Sequence, residues 1–373
     1  MTHDRTNPDD AETLGSAVVD ACRGAGFAAA GVASVEPTRW ARELRAWLDA
    51  GKHGTMAWLE RNSEVRGDPG QLLDGARSAV MVADLYHARA DGDDPPLAPG
   101  EGRVARYARG RDYHDTIKKR LHALCDDLRA QHPGAEFKAF TDTAPVLERE
   151  LAARAGIGWT GKHTLTIHPR IGSYLLLGGF VTTLELEAPS EQEMVTDHCG
   201  TCTRCIDACP TDAITPYSVD ARKCISYLTI EHRAPIDEGY HAAMGGWVFG
   251  CDICQEVCPH NSAREPEQLS EGGRTRHPAY EPTRDPVDRF DLLEVLGWDA
   301  EDRSRELSKS AMKRATLAMW KRNAIIAAGN ALAGHELAAL RARISAIAAD
   351  DSEDEIVRDA ARAVLAGLGA SGG

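Results

Sequence analysis

The stretch CGTCTRCIDACP, residues 199–210, places four cysteines at spacings of two, two and three residues, and a proline follows the last one. A second group consists of Cys224 and of CDICQEVCP, residues 251–259, in which a proline again follows the final cysteine. Runs of this spacing are typical of bacterial iron–sulfur proteins. Eight of the ten cysteines of the chain lie in this region. The region therefore predicts a metal or redox centre in the middle of the chain.

Two cubane clusters need two sets of four thiolates, and these cysteines can supply both sets. In two-cluster ferredoxins the last cysteine of each run binds the other cluster. On that rule we expect the first 4Fe-4S cluster to be held by Cys199, Cys202, Cys205 and Cys258. We expect the second 4Fe-4S cluster to be held by Cys209, Cys224, Cys251 and Cys254. Structural zinc is the alternative, although zinc sites usually pair two C-x2-C units.

Length and composition narrow the class of protein. The chain has 373 residues, a hydrophobic content of 43% and a formal charge of −14. The hydrophobic content is sufficient for packed cores. The negative net charge argues against non-specific nucleic-acid binding across the whole surface. No apolar run reaches the roughly 18 residues that span a bilayer. The polar start has no secretory pattern, so we expect a cytoplasmic protein without membrane contact, in which thiols stay reduced. Cys22 and Cys125 are predicted to be packed core thiols.

The order of predicted elements indicates an α+β protein. Strands are predicted at residues 78–86 and 136–140, a hairpin across 163–181, and helices at 11–23, 113–131 and 144–155. After residue 291 the pattern is helical, with helices at 308–319, 322–332, 336–348 and 353–366. We divide the chain into an α/β domain (1–188), a ferredoxin-like domain (189–265), a linker (266–290) and an all-α, HEAT-like domain (291–373).

Further motifs accompany the cysteines. These are HGTMAWL (53–59), YARGRDYH (107–114), TDTAPVLER (141–149), GIGWTGKH (156–163) and RKCISYLTIE (222–231). Together with the cysteine pattern they closely resemble the epoxyqueuosine reductases, over nearly the whole chain. No GxGxxG segment indicates a nicotinamide site.

This resemblance implies an oxidoreductase that reduces epoxyqueuosine to queuosine at the wobble position of tRNA, the last step of queuosine biosynthesis. It implies that the N-terminal domain binds cobalamin, that two 4Fe-4S clusters pass electrons to it, and that the helical C-terminal domain contacts tRNA. It also implies an external low-potential electron donor. We expect a monomer.

Asp142 is the candidate proton donor, because the resemblance places it in the catalytic motif. The alternative is a helix N-terminal cap ahead of residues 144–155, a role that aspartate favours. An acid that works near neutral pH needs a raised pKa, so we expect burial against a corrin ring and apolar walls to raise the pKa of Asp142.

The resemblance also implies a set of cobalamin contacts: Arg66, Tyr107, Asp142, Trp159, Lys162, His163 and Ser226. Basic side chains suit the amide- and phosphate-bearing edge of the cofactor, and an aromatic ring suits the face of the macrocycle. The alternatives are a core aromatic for Trp159, a solvated turn residue for Lys162 and a surface group for His163.

The C-terminal region contains the candidate tRNA surface. Residues 303–322 include seven basic side chains and one acidic side chain, which predicts a phosphate-binding patch. The candidate contacts are His232, Arg233, Lys313, Arg314 and Arg322. A modified wobble base must also leave its stack to be reduced, as in base flipping. The alternative for this patch is a solvated helix face.

Two other functions fit parts of the pattern. One is a cobalamin and iron–sulfur reductase of a small molecule, of the reductive dehalogenase type. The other is a ferredoxin-type electron-transfer protein without a substrate of its own. A basic helical region has no evident use on a small organohalide, and a ferredoxin would not need the roughly 190 residues that precede the cysteines.

Overall fold

The structure is a computed structural model that describes residues 8–87, 94–262, 276–282 and 288–370. Its strands are β1 (Ala29–Ser34), β2 (Ser78–Leu85), β3 (Glu101–Val104), β4 (Phe137–Thr141), β5 (Trp159–Thr160), β6 (Thr166–Ile167), β7 (Leu175–Thr182), β8 (Ile214–Thr215), β9 (Ser218–Val219), β10 (Trp247–Phe249) and β11 (Arg289–Asp291). Its first helices are α1 (Pro8–Gly24), α2 (Ala41–Asp49), α3 (Trp58–Arg61), α4 (Ser63–Gly67), α5 (Tyr113–Gln131), α6 (Glu148–Arg154), α7 (Arg204–Asp207), α8 (Ile225–Ile230), α9 (His241–Met244) and α10 (Ile253–Glu256). The remaining helices are α11 (Leu292–Gly297), α12 (Ala300–Glu306), α13 (Leu317–Leu332), α14 (Ala338–Ala349) and α15 (Glu355–Ala370). Among the described residues, no helix combines the length and apolar character that crossing a membrane requires.

A four-stranded antiparallel sheet in the order β1-β2-β7-β4 forms the centre of the N-terminal region. Alternate residues of β2 face opposite sides of the sheet, as the two-residue period of a strand requires. Val80 and Val82 pack in the core with α1 and α5, whereas Met81 and Ala83 pack in the core with α6. Every residue of β2 is buried, which confirms the strand predicted at residues 78–86.

The hairpin predicted across residues 163–181 is wrong. Strand β6 pairs with β5, and β7 pairs with β2 and β4 instead. One isolated bridge, between His168 and Gly172, connects the two halves of the predicted hairpin. The apolar residues of β7 are buried in the middle of the large sheet, where they lose more contact with water than a surface hairpin would allow.

A second sheet joins three of the four predicted segments. Strand β3, from the N-terminal region, lies between β10 of the cysteine region and β11 from the predicted linker, in the order β10-β3-β11. The linker is otherwise largely outside the described residues, but Tyr280 within it is buried and donates a hydrogen bond to Asp84 (2.6 Å). The regions therefore pack as a continuous structure, and the boundaries at 188, 265 and 290 stay predictions.

The C-terminal helices pack around α13. This helix is continuous from Leu317, whereas the sequence predicted a break between residues 319 and 322. In place of the helix predicted at 308–319, the structure has a 3-10 turn at Ala311–Arg314 and then the first residues of α13. Helix α13 is buried on most sides, and the ring of Trp320 stacks on Phe249 of β10 with 5.7 Å between the ring centroids. This core explains how α13 is held against the cysteine region.

Candidate active site

A cavity of about 2490 Å³ lies between the N-terminal sheet region and the cysteine region. It exceeds the roughly 300–1,000 Å³ of common small-molecule pockets, so it can accept a large cofactor together with part of a substrate. Of the predicted cobalamin contacts, the cavity is lined by Arg66, Tyr107, Asp142, Trp159, His163 and Ser226. The folded chain thus collects residues that are far apart in sequence.

Lys162 is not among the residues that line this cavity, and its predicted role as a cobalamin contact is corrected. Its ammonium group donates hydrogen bonds to the carbonyl oxygens of Gly200 (2.6 Å) and Cys202 (2.9 Å). Lys162 therefore holds the first cysteine loop in place.

Three buried N–H groups on the cavity wall have no hydrogen-bond partner among the residues that the structure describes. They belong to Nε1 of Trp159, Nε of Arg66 and Nε2 of His163. The tautomer of His163 follows from its other nitrogen, because Nδ1 accepts a hydrogen bond from the backbone N–H of Leu165 (3.2 Å). Burial and the charge of Arg149 lower the pKa of His163 to about 4, so the ring is neutral and Nε2 carries the proton.

Buried donors without acceptors are costly, at about 1–3 kcal/mol each. A ligand that presents oxygen acceptors at this wall would remove that cost. Cobalamin carries carboxamides and a phosphate around its edge, so these donors fit it. The absence of partners is thus an argument from the protein itself for a large polar-edged ligand.

The first predicted cysteine set is brought together in space. Burial raises the pKa of Cys205, and the nearby thiols of Cys199 and Cys202 raise it further. Burial likewise raises the pKa of Cys258, and the thiols of Cys199, Cys202 and Cys205 raise it further. Cys258 thus reaches the first run although it lies some fifty residues later in the sequence.

The second predicted set is assembled in the same way, and it lies on the cavity wall. Burial raises the pKa of Cys254 and of Cys251, and both also interact with Cys224. Cys209 raises the pKa of Cys224 and of Cys254. All four of these thiols line the cavity, whereas none of the first set does. The second set therefore faces the cavity, and the first set does not. Cys22 and Cys125 are fully buried in the core of the N-terminal region, as predicted.

Asp142 lies just after β4 and is held from two sides. Its Oδ1 lies 2.9 Å from Nε2 of His114, and its Oδ2 accepts a hydrogen bond from the hydroxyl of Tyr113. The other ring nitrogen of His114, Nδ1, lies 2.7 Å from Oδ1 of Asp112. The cap that Asp142 was alternatively expected to form is not recorded, since α6 begins only at Glu148 and its cap position is Leu147.

The pKa expected for Asp142 is corrected by this geometry. Partial burial acts to raise the pKa, but the hydrogen bonds and the charge of His114, with the hydrogen bond of Tyr113, outweigh it and lower the pKa of Asp142 below its ordinary value. The pKa of His114 is raised to about 9, because bonds to Asp112 and Asp142 outweigh the effect of its burial. At neutral pH the pair is therefore a carboxylate and an imidazolium.

Of the predicted tRNA contacts, Arg314 lies beside the cavity. Arg314 is exposed and forms a two-point ion pair with Glu231 (2.8 and 2.9 Å), next to His232 and Arg233 in sequence. Its guanidinium lies 5.2 Å from the ring centroid of Trp58, which lines the cavity. Lys313 and Arg233 are exposed, and the His232 ring is half-buried beside Tyr227.

Arg322 is corrected as a tRNA contact, because it is fully buried. Its guanidinium donates to the carbonyl oxygens of Leu228 (2.8 Å), His232 (2.6 Å) and Ala234 (2.7 Å). Burial lowers the pKa of Arg322 to about 10. It ties α13 to the loop that carries His232, and it cannot reach a phosphate. Lys321 is also buried and pairs with Glu353 (2.8 Å), which further reduces the exposed charge of the patch.

Sequence reasoning missed His114, Tyr113, Asp112, Trp58 and Glu231. All five lie within motifs that carried the resemblance, but none was assigned a role. An available signal was the triplet Asp112-Tyr113-His114, which places a capping carboxylate and an ionisable ring at the start of a long amphipathic helix.

Comparison with known proteins agrees with this site. A family model described as "4Fe-4S double cluster binding domain" matches residues 198–261. A second model, described as "Epoxyqueuosine reductase QueG, DUF1730", matches residues 66–143. The chain is thus similar to both families in the segments that contain the cysteines and Asp142.

Full-length relatives extend the similarity. The epoxyqueuosine reductase of Pseudomonas aeruginosa is 37% identical over 330 residues, covering 88% of each chain. That of Xanthomonas campestris pv. campestris is 38% identical over 344 residues, covering 91% of this chain and 92% of the relative. A crystal structure of selenomethionine-labelled epoxyqueuosine reductase aligns with a TM-score of 0.82 at 25% identity, covering 95% of this chain and 90% of that one.

A further solved structure shows epoxyqueuosine reductase with an epoxyqueuosine-modified tRNA-Tyr stem loop. It aligns with a TM-score of 0.81 at 26% identity, covering 96% of this chain and 90% of that one. Given this extent of identity and coverage, the chain belongs to the epoxyqueuosine reductase family.

Proposed function

We propose that this chain reduces epoxyqueuosine to queuosine at the wobble position of tRNA. One observation carries the proposal: a single large cavity brings Asp142 and four cysteines of the double-cluster region to the same space. A proton source and an electron source that face one cavity suit a reductive deoxygenation. The relative solved with a modified tRNA stem loop supports tRNA as the substrate.

We assign the cysteines to two 4Fe-4S clusters. The first would be held by Cys199, Cys202, Cys205 and Cys258, and the second by Cys209, Cys224, Cys251 and Cys254. The second set lies on the cavity wall. This position supports an electron path that runs from an external low-potential donor to the first set's cluster and from there to the second set's cluster. When bound, such clusters supply electrons one at a time.

We assign the cavity to cobalamin, with Arg66, Trp159 and His163 as donors to its edge and Tyr107 and Ser226 as further wall contacts. When bound, cobalamin would supply a strongly reducing cobalt centre. The protein's own part is to orient the ring through these donors, to exclude water from the apolar wall, and to hold Asp142 where the departing epoxide oxygen needs a proton.

We assign tRNA binding to the rim next to Trp58. Arg314 is exposed there, Lys313 is exposed next to it in sequence, and Arg233 is exposed next to His232. Exposed basic groups attract phosphates, and an aromatic ring at the entrance can stack on an unpaired base. The rest of the surface is acidic and repels phosphates, so contact with tRNA would be limited to the anticodon loop.

We retain the division at residues 188, 265 and 290 as a proposal about function. The first region would bind cobalamin, the cysteine region would hold the clusters, and the C-terminal region would bind tRNA. The packing of α13 against α15, and of α14 against α15, supports a HEAT-like arrangement of the last region. Because the substrate is tRNA, we assign the reaction to the cytoplasm, and we propose that the enzyme acts as a monomer.

The test is an anaerobic assay of the full chain, loaded with cobalamin and iron–sulfur clusters, on tRNA that contains epoxyqueuosine. With a chemical reductant we expect mass spectrometry of the nucleosides to show queuosine. Asp142→Ser should bind both cofactors and convert the substrate about 10²–10⁴-fold more slowly. Asp127→Ser, an exposed aspartate on α5, is the control and should keep the normal rate. Lack of queuosine with the loaded wild-type enzyme would reject the proposal.

A further inference from the structure

Removal of an epoxide oxygen consumes two protons. Both carbon–oxygen bonds break, two electrons enter to form the alkene, and the oxygen leaves as water with two protons attached. Asp142 alone can give one proton before it must be recharged. Hydrogen bonds from His114 and Tyr113 also lower the pKa of Asp142 and favour its carboxylate form, so the acid needs a group beside it that can supply protons.

His114 is positioned to be that neighbour. Its Nε2 lies 2.9 Å from Oδ1 of Asp142, within the reach of a direct proton transfer. Its Nδ1 lies 2.7 Å from Oδ1 of Asp112, and the same carboxylate oxygen accepts the backbone N–H of His114 at the start of α5 (3.0 Å). The helix cap thus fixes the orientation of the ring.

The hydrogen-bond partners determine the charge of this ring. Both ring nitrogens face carboxylate oxygens, and only an imidazolium can donate to both at once. The surrounding charged groups come from three elements: Asp112 and Lys118 with α5, Asp142 after β4, and Arg314 from the C-terminal region, whose charge interacts with Asp142. The phenol of Tyr113 donates to the other oxygen of Asp142, which leaves Oδ1 for His114.

We propose that His114 is the proton source of the reaction: it passes the proton on Nε2 to Oδ1 of Asp142, which then delivers it to the departing oxygen, twice for each epoxide. The inference rests on the proposed function of Asp142. In each transfer the N–H bond at Nε2 breaks and an O–H bond forms on the carboxylate, which makes the ring neutral. The His114 side chain is 26% exposed, so solvent water restores its proton. His114 is therefore a positioning and proton-supplying residue behind the acid that touches the substrate.

The first test replaces His114 with glutamine in the loaded enzyme. Glutamine can still donate a hydrogen bond to Asp142, but it has no proton to give. We expect His114→Gln to reduce turnover at neutral pH by about 100-fold or more, with unchanged cobalamin and iron content. His122→Gln, an exposed histidine on the same helix, is the matched control and should keep the wild-type rate.

The pH profile separates a proton source from a structural contact. The wild-type rate should fall as pH rises through about 9, where His114 loses its proton, and this limb should be absent in His114→Gln. Added imidazole should partly restore the rate of His114→Ala. A His114→Gln enzyme with the wild-type rate and the wild-type pH profile would overturn the inference. If Asp142→Ser is slow in that case, the proposed function still stands; if Asp142→Ser is also fast, the proposed acid itself is wrong.

A measurement without turnover covers the case in which the variant does not fold. In full-length protein labelled with nitrogen-15 at histidine, we expect the His114 ring to be protonated at both nitrogens at pH 7.5. Asp142→Asn should lower its titration midpoint. A neutral His114 ring at pH 7 in the wild-type protein would also overturn the inference.

Discussion

Arg314 and Glu231 form a two-point ion pair, with 2.8 Å between Nε and Oε1 and 2.9 Å between Nη2 and Oε2. The pair links the turn before α13 to the end of α8, and it holds the guanidinium beside the ring of Trp58. A basic group that is oriented in advance at the cavity rim suits contact with a phosphate or a base next to the wobble position.

Removal of this group should weaken tRNA binding. We expect Arg314→Ala to reduce affinity for an anticodon stem loop, and we expect the slope of log K against log salt to decrease by about one for each lost phosphate contact. Binding measured by fluorescence anisotropy at several salt concentrations checks this. Arg362→Ala, which removes an exposed charge on α15, should leave affinity and slope unchanged. An Arg314→Ala protein that binds like the wild type at every salt concentration would remove Arg314 from the interface.

Arg322 should affect stability instead. Replacement with methionine leaves the carbonyl oxygens of Leu228, His232 and Ala234 without their donor, at a cost of about 1–3 kcal/mol for each buried group that stays unpaired. We therefore expect Arg322→Met to lower the free energy of unfolding by several kcal/mol, as measured by thermal or urea unfolding. Arg314→Met should leave the unfolding transition almost unchanged, because Arg314 is half exposed. Equal stability of the two variants would contradict the role given to Arg322.

These two arginines show where sequence reasoning was limited. Both lie in the same basic segment, and nothing in their local sequence distinguishes an exposed side chain from a buried one. The difference arises because α13 begins at Leu317 and inserts Trp320, Arg322 and Asn323 against β10 and α8. Such contacts join residues about 75 to 94 positions apart, and no local pattern records them.

The cysteines show the opposite case. Their spacing is local, and the rule that the last thiol of a run crosses to the other cluster is consistent with the grouping of Cys258 with the first run. The α5 helix was predicted with its observed bounds because its apolar face is a local feature. The small sheet β10-β3-β11 was not predicted, because each of its strands has only three or four residues.

Cobalamin binding should depend on the unpaired donor of Trp159. Trp159→Phe keeps an aromatic ring but removes the indole N–H, so we expect about a 3- to 10-fold loss of cobalamin affinity, in line with a single hydrogen bond. An absorption titration of the corrinoid checks this. Trp47→Phe is the matched control, since Trp47 lines the same cavity but its N–H already donates to the carbonyl oxygen of Val219 (2.8 Å). A larger loss of affinity in Trp47→Phe than in Trp159→Phe would contradict this assignment.

The crossed assignment of the cysteines predicts which cluster each substitution removes. Cys258→Ser should eliminate the cluster behind the cavity wall, and Cys254→Ser should eliminate the cluster on the wall, so each variant should retain about half of the iron. Double variants test the pairing. Cys258→Ser with Cys199→Ser should lose no more iron than Cys258→Ser alone, whereas Cys258→Ser with Cys254→Ser should lose nearly all of it. The reverse result would mean that Cys258 belongs to the second set. Cys125→Ser, in the N-terminal core, is the control with full iron content.

The most direct measurement is the iron, acid-labile sulfide and zinc content of the full chain purified without oxygen, together with electron paramagnetic resonance of the reduced protein. We predict iron and sulfide in equal amounts, sufficient for two 4Fe-4S clusters per chain, and a spectrum of reduced cubane clusters. Zinc bound to these cysteines, without labile sulfide, would contradict the account, because the cavity would then have no source of electrons.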